Sequence, residues 1–184
     1  MDNFSTIVLL VLAALVLVLL AWTYNRLVRL RNRVQNAWSD VDVQLKRRHD
    51  LVPGLVESVR GYAAHERQTL EAVTSARAQA MASGAGIGAR AVAELALTGA
   101  VGNLFAVAER YPTLRAAQNF SLLQEQLTST ENRIAFARQF YNESVLQYNT
   151  VIATFPRNLV AGAMRFSRAT LFAAEAGDRA IPLT

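Results

Sequence analysis

From Phe4 to Tyr24 the chain carries no charge, and from Ile7 to Trp22 no polar side chain interrupts the apolar run. A run of 18 or more apolar residues is about long enough to cross the roughly 30 Å hydrocarbon layer as one helix whose backbone groups bond internally. Beyond it the pattern becomes periodic. Leu27, Leu30, Val34, Ala37, Val41 and Leu45 recur at spacings of three and four, one apolar stripe on a helix of about seven turns. A second stripe of Val52, Leu55, Val59, Tyr62, Leu70, Val73 and Arg77 is expected to follow a break at Pro53 and Gly54, with Asp50 capping its start. Gly84, Gly86 and Gly88 close that helix. A third, from about Ala89 to Arg110, is rich in Ala, Gly and Leu, and its Ala96, Gly99 and Gly102 are small enough for close helix contact. A fourth runs from about Ala117 to Phe155 with Phe120, Leu127, Ile134, Tyr141, Val145, Tyr148 and Ile152 on one side, and Pro156 ends it. Nothing reads as a strand.

Each helix must bury its stripe, and short connections leave only the neighbouring helix in reach. The expected fold is therefore all-α: an N-terminal transmembrane helix (1–24), an antiparallel up-down four-helix bundle of long helices (25–155), and a short C-terminal helix within an amphipathic segment and tail (156–184). Four alternating helices bring the chain after Pro156 back to the bilayer. There Leu159, Val160, Met164 and Phe166 stand against Arg157, Arg165 and Arg168, with no acid until Glu175. Two readings fit that composition, an interfacial amphipathic helix and a fifth helix packed on the base of the bundle.

Charge refines the membrane reading. Seven basic residues lie between Arg26 and Arg48 against Asp40 and Asp42, so the whole formal net charge of +5 sits in this stalk. The apolar run lacks a basic start and a small-residue cleavage site, so it is expected to be retained as an anchor. Arg26, Arg29, Arg31 and Arg33 follow it directly, which is expected to place the body of the chain in the cytoplasm with the N-terminus outside. Trp22, Tyr24, these four arginines, Arg157, Arg165, Phe166 and Arg168 are the expected interface residues, facing anionic headgroups. No aromatic stacking platform or recognition-helix signature accompanies the basic residues, which argues against nucleic acid. Lys46, Arg47, Arg48 and His49 form a second basic cluster, readable as a solvated helix end or as a docking patch for an acidic partner. With no cysteine, disulfides are excluded.

Catalytic chemistry is not apparent, and no cofactor or metal is expected. His65 and Glu66 begin a zinc-helix motif, but the second histidine position holds Thr69. The glycines at 84–88 follow a helix and have no lysine nearby, unlike a phosphate loop. Glu66 and Glu131 fall near core register. Either they meet Arg77, Arg133 or Arg138 in a buried network, or the stripe rotates and carries them to water.

The segments AWSDVDVQLKRRHDLVPGLVESVRGYAAHE (37–66), LFAVAERYPTLRAAQNF (104–120), TENRIAFARQFYNESVLQYN (130–149) and FPRNLVAG (155–162) resemble the LemA family of bacterial membrane proteins. The resemblance spans nearly the whole chain in order. It departs beyond Gly162, where a longer Arg-containing tail replaces a short one rich in Phe and Lys. What it implies is a helical bundle behind one transmembrane helix, without established catalytic residues, and, through a relative in magnetosome-forming bacteria, a link to building internal membranes. Two functions are expected from these features: a non-enzymatic scaffold that self-associates at the membrane, or an adaptor presenting the basic tip near residues 46–53 to a membrane protease or signalling complex.

Overall fold

A computed structural model of the chain describes residues 2–63, 65–82 and 86–172, which hold six helices and no strand. Gly84 and the tail beyond Phe172 lie outside these residues. Helix α1 spans Asp2–Arg60, α2 Arg67–Met81, α3 Ile87–Ala108, α4 Pro112–Arg115, α5 Gln118–Ala153 and α6 Arg157–Ala163.

The expected break at Pro53 is absent: α1 is one helix of 59 residues. A proline inside a helix has no N–H for the carbonyl four residues earlier, and that orphan ordinarily favours a kink or an end. Here the orphan is the carbonyl of His49, and the Nε of Arg77 donates to it at 2.7 Å. Arg77, read from sequence as part of a buried ion network, thus satisfies the backbone of α1 instead. The reversal comes later, between Arg60 and Arg67.

Helix directions follow from cross-helix contacts. Arg33 meets Gln147, Trp38 meets Tyr141 and Arg48 meets Glu131, so α1 and α5 run antiparallel over most of their length. Arg90 pairs with Asp42 and Thr98 with Arg48, so α3 runs the same way as α1. Helix α2, fifteen residues long, lies between α1 and α3 at the far end, where Glu66, just before it, meets Arg110, just after α3.

The buried apolar residues fall into two clusters. The distal one joins Val52, Leu55 and Val59 of α1, Leu70 and Val73 of α2, Leu97 and Leu104 of α3, and Phe120 and Leu127 of α5. The proximal one joins Leu27, Val34, Ala37, Val41 and Leu45 of α1 to Ile134, Tyr141, Val145 and Tyr148 of α5, with Ala161 and Phe172 from the C-terminal segment. Helix α3 is long and apolar enough to cross a membrane, yet it buries Leu97, Val101 and Leu104 among the other helices. Its Gly99 and Gly102 face open space, so the close helix contact expected there does not occur within the chain.

The C-terminal segment matches neither sequence expectation in full. Helix α6 stops at Ala163, where Phe166 N–H donates to the Ala161 carbonyl and Arg165 N–H to that of Gly162. This is the paired end-bond pattern that closes many helices, with the left-handed residue usually glycine. Arg165 holds that position at φ 56°. From there residues 166–172 run without helix along α5, antiparallel to it. Tyr148 and Tyr141 donate to the carbonyls of Ser167 and Thr170, at 2.9 and 2.7 Å. Asn149 and Asn142 each grip one residue of this strap twice, Ala169 and Phe172, donating to its carbonyl and accepting from its N–H at 2.8–3.2 Å. Seven helical residues rise about 10.5 Å and three extended ones about 10 Å, so Tyr-Asn pairs seven apart match strap residues three apart.

Candidate functional site

Two constellations stand out, a collar where the bare part of α1 meets the packed body, and a polar layer between the two cores. From Phe4 to Trp22 the large apolar side chains of α1 are all exposed, and packing begins at Thr23 and Leu27. The guanidinium groups of Arg26 and Arg157 lie 5.6 and 6.0 Å from the Trp22 ring. Tyr24 meets Phe166 edge to face with centroids 6.0 Å apart. The fold therefore brings Trp22, Tyr24, Arg26, Arg157 and Phe166 together from opposite ends of the sequence. Arg29 only bonds the Asn25 carbonyl, and Arg33 bonds Gln147 while covering the Phe140 ring at 5.5 Å. Arg31, two turns past Tyr24 on α1, lines a groove together with Arg165 and Arg168.

The second basic cluster is not a surface patch. Arg48 and His49 are 3% and 5% exposed, while Lys46 and Arg47 reach solvent. Nor is it a tip, because α1 continues to Arg60, about 20 Å beyond Lys46 at 1.5 Å per residue. Arg48 falls on the stripe Val41, Leu45, Arg48, Val52, Leu55, and Glu94 on the α3 stripe Ala91, Glu94, Leu97, Val101. One Arg48 nitrogen donates to Thr98 at 2.7 Å and Glu131 at 2.8 Å; the other contacts the Glu94 carboxylate and its carbonyl. His49 Nε2 lies 3.0 Å from the same carboxylate. Burial alone would raise the Glu94 pKa; the His49 contact and the Arg48 charge outweigh it and hold the carboxyl below its ordinary range.

The expected network therefore has other members. Glu131 does take part, with Arg48 and not with Arg133 or Arg138. Glu66 pairs with Arg110 at 3.0 Å beside the distal turn. Arg133 is exposed on α5, and Arg138 sits 5.1 Å from the Phe172 ring, holding the end of the strap. Arg48 lies three residues past Leu45 on the same stripe, although in sequence it reads as part of the basic cluster and not of the apolar face.

Among the described residues no three His, Asp or Glu side chains are grouped as a metal site. Arg48 and Glu94 form a buried ion pair, while Arg48 Nε, His49 Nε2 and Glu94 Oε1 have no hydrogen-bond partner among the described residues.

Comparison with known proteins was informative. The LemA family model matches residues 37–183. Magnetosome protein MamQ 2 of Paramagnetospirillum magneticum is 30% identical, the alignment covering 86% of this chain and 68% of that protein. Magnetosome protein MamQ of Magnetospirillum gryphiswaldense is similar to the same degree and extent. Protein LemA of Metamycoplasma hominis is 28% identical over 84% of this chain and 71% of its own length.

Proposed function

Since the chain belongs to the LemA family, we propose that it is a non-enzymatic, membrane-anchored scaffold that self-assembles at the bacterial inner membrane and organises or shapes it. Residues 3–24 cross the bilayer with the N-terminus outside. The body beyond Tyr24 is cytoplasmic, its collar arginines each gaining about 1 kcal/mol from anionic headgroups. Helices α1, α2, α3 and α5 act as an antiparallel up-down four-helix bundle.

The observation that carries this reading is the continuity of α1. One helix leads from the bare apolar run to the far end of the body without a loop. A body on a flexible tether samples all orientations, whereas one on a continuous helix transmits its orientation to the bilayer and to neighbours. Outward apolar side chains supply surfaces for association: Val92 and Leu95 on α3, and Phe136, Phe140 and Leu146 on α5. The likeness to magnetosome proteins favours an architectural part over turnover of a substrate.

Full-length protein reconstituted into phosphatidylethanolamine/phosphatidylglycerol vesicles and imaged frozen-hydrated is expected to show discrete assemblies or altered vesicle curvature. Isolated monomers on unchanged round vesicles would contradict the proposal.

A further inference from the structure

Beside the collar, α1, α5 and the strap enclose a groove of about 490 Å³. Its walls are Val34, Trp38 and Tyr148, and its polar rim carries Arg31 from α1 and Arg165 and Arg168 from the C-terminal segment. Among the described residues no acidic side chain lines it. None of the three arginines has a carboxylate of the described residues within 4.0 Å.

Two further observations mark these arginines as more than solvated surface. Arg165 occupies the left-handed position at the end of α6, φ 56°, where any side chain is disfavoured relative to glycine. A position that glycine fills most cheaply thus holds a long cation aimed into a groove. The strap that carries Arg168 and begins directly after Arg165 is itself fixed by six hydrogen bonds with Tyr141, Asn142, Tyr148 and Asn149, so this backbone is anchored on α5 and not left as a loose tail. Arg31 lies close enough to the Tyr148 phenol to oppose the upward push that burial gives its pKa.

We propose that this groove is a binding site for a phosphate-bearing anion whose organic part lies on Trp38, Val34 and Tyr148. Three guanidinium forks without a carboxylate suit a phosphate group, which accepts several charge-assisted bonds, better than a single carboxylate. The volume exceeds that of phosphate alone, leaving room for a glycerol or similar moiety. Arg31 stands seven residues, about 10 Å, beyond Tyr24, near the outer edge of a headgroup layer if the apolar run spans a bilayer. A phospholipid headgroup and a soluble phosphate compound share this chemistry, and the test separates them. The site depends on the geometry of the groove and stands or falls independently of self-assembly.

Trp22 and Trp38 are the two tryptophans of the chain, so Trp22→Phe leaves Trp38 as a reporter inside the groove. Full-length Trp22→Phe protein in an uncharged detergent is titrated with inorganic pyrophosphate and with short-chain dihexanoyl phosphatidylglycerol, against potassium chloride of matched ionic strength. A saturable change in Trp38 emission with the lipid alone assigns the site to headgroups; one with pyrophosphate alone or with both assigns it to the phosphate group itself. Arg165→Gly is the decisive variant, since it removes a guanidinium while relieving the backbone, and any loss cannot be attributed to unfolding. The midpoint is expected to weaken about tenfold in Arg165→Gly, with a further loss on adding Arg168→Gln, and to stay within about twofold in Arg29→Gln, outside the groove. No saturable response beyond the salt control, an unchanged midpoint in the double variant, or an equal loss in Arg29→Gln would overturn the assignment.

Discussion

The same pair of helices, α1 and α5, is covered in two different ways along its length. Distally it is covered by the α2–α3 pair, helix on helix, with Val52, Leu55, Leu97, Leu104 and Phe120 interleaved. Proximally α2 has ended and α3 contributes little more than Ile87 and Ala91, so the C-terminal strap takes its place. A helix satisfies its own backbone and needs only apolar side chains on its partner. An extended strap leaves N–H and C=O groups that the partner must satisfy. That is why α5 needs only apolar residues such as Phe120 and Leu127 in the distal core but presents Tyr141, Asn142, Tyr148 and Asn149 toward the strap. The chemistry of the covered helix is dictated by the secondary structure of its cover.

Between the two regions lies the layer of Arg48, His49, Glu94, Thr98 and Glu131, and the largest expected effect belongs to it. Arg48→Met leaves Glu94 buried without its cation and is expected to destabilise the full-length protein by about 3–5 kcal/mol in denaturant unfolding. Arg48→Met with Glu94→Leu should recover most of that loss, because an apolar layer would then join the two cores. A double variant no more stable than the single one would mean that the layer contributes more than a compensated pair. Acid tests the same group. The folded chain binds the Glu94 proton less tightly than the unfolded chain, so its contribution is whole above about pH 4.5, the ordinary value, and is lost as pH falls through the depressed folded one. Glu94→Leu paired with Arg48→Met should flatten that part of the stability-against-pH curve.

The proximal cover should respond more locally. Asn149→Leu removes both bonds to Ala169 and leaves that backbone unit unpaired, an expected loss of about 1–3 kcal/mol confined to the strap. Hydrogen exchange is the discriminating measurement: the Ala169 and Phe172 amides should lose protection while those of α2 and α3 keep theirs. Equal loss in both regions would show that the two covers unfold as one unit.

Most of this architecture was readable as period. The apolar run follows from its unbroken length, and the stripe from Leu27 to Leu45 and the long helix ending before Pro156 from spacings of three and four. The errors came from two physical sources. At Pro53 the local rule for proline was overridden by a distant donor, Arg77, and no local pattern encodes a donor 24 residues away. One step past Leu45 the α1 stripe reaches Arg48, and the α3 stripe of Ala91, Leu97 and Val101 passes through Glu94, so both stand as charged residues on apolar faces. The strap was hidden for a different reason: it is held through its backbone, so its own side chains need no period. The signal lay on the partner, in the Tyr-Asn pair repeated at 141–142 and 148–149. The collar was half legible, since the basic and aromatic residues of each end could be listed but not the contacts of Arg157 with Trp22 and Phe166 with Tyr24.

The smallest expected effect sharpens the comparison from the distal side. Gly54 follows Pro53 inside α1, and a Cβ there would lie 3.6–3.7 Å from the methyl carbons of Leu123, ordinary contact with no clash. Glycine costs a helix interior about 0.5–1 kcal/mol relative to alanine. Gly54→Ala is therefore expected to stabilise the chain by about that amount, through a less flexible unfolded state and one added contact with α5. Gly99→Ala, on the open face of α3, should gain the propensity part without the contact. If Gly54→Ala instead lowers the melting temperature while Gly99→Ala raises it, the passage of α1 through Pro53 requires the freedom of glycine as well as the donor from Arg77. In either case the protection of Ala169 in the strap should not change, because its bonds are made from α5 and reach only the proximal half.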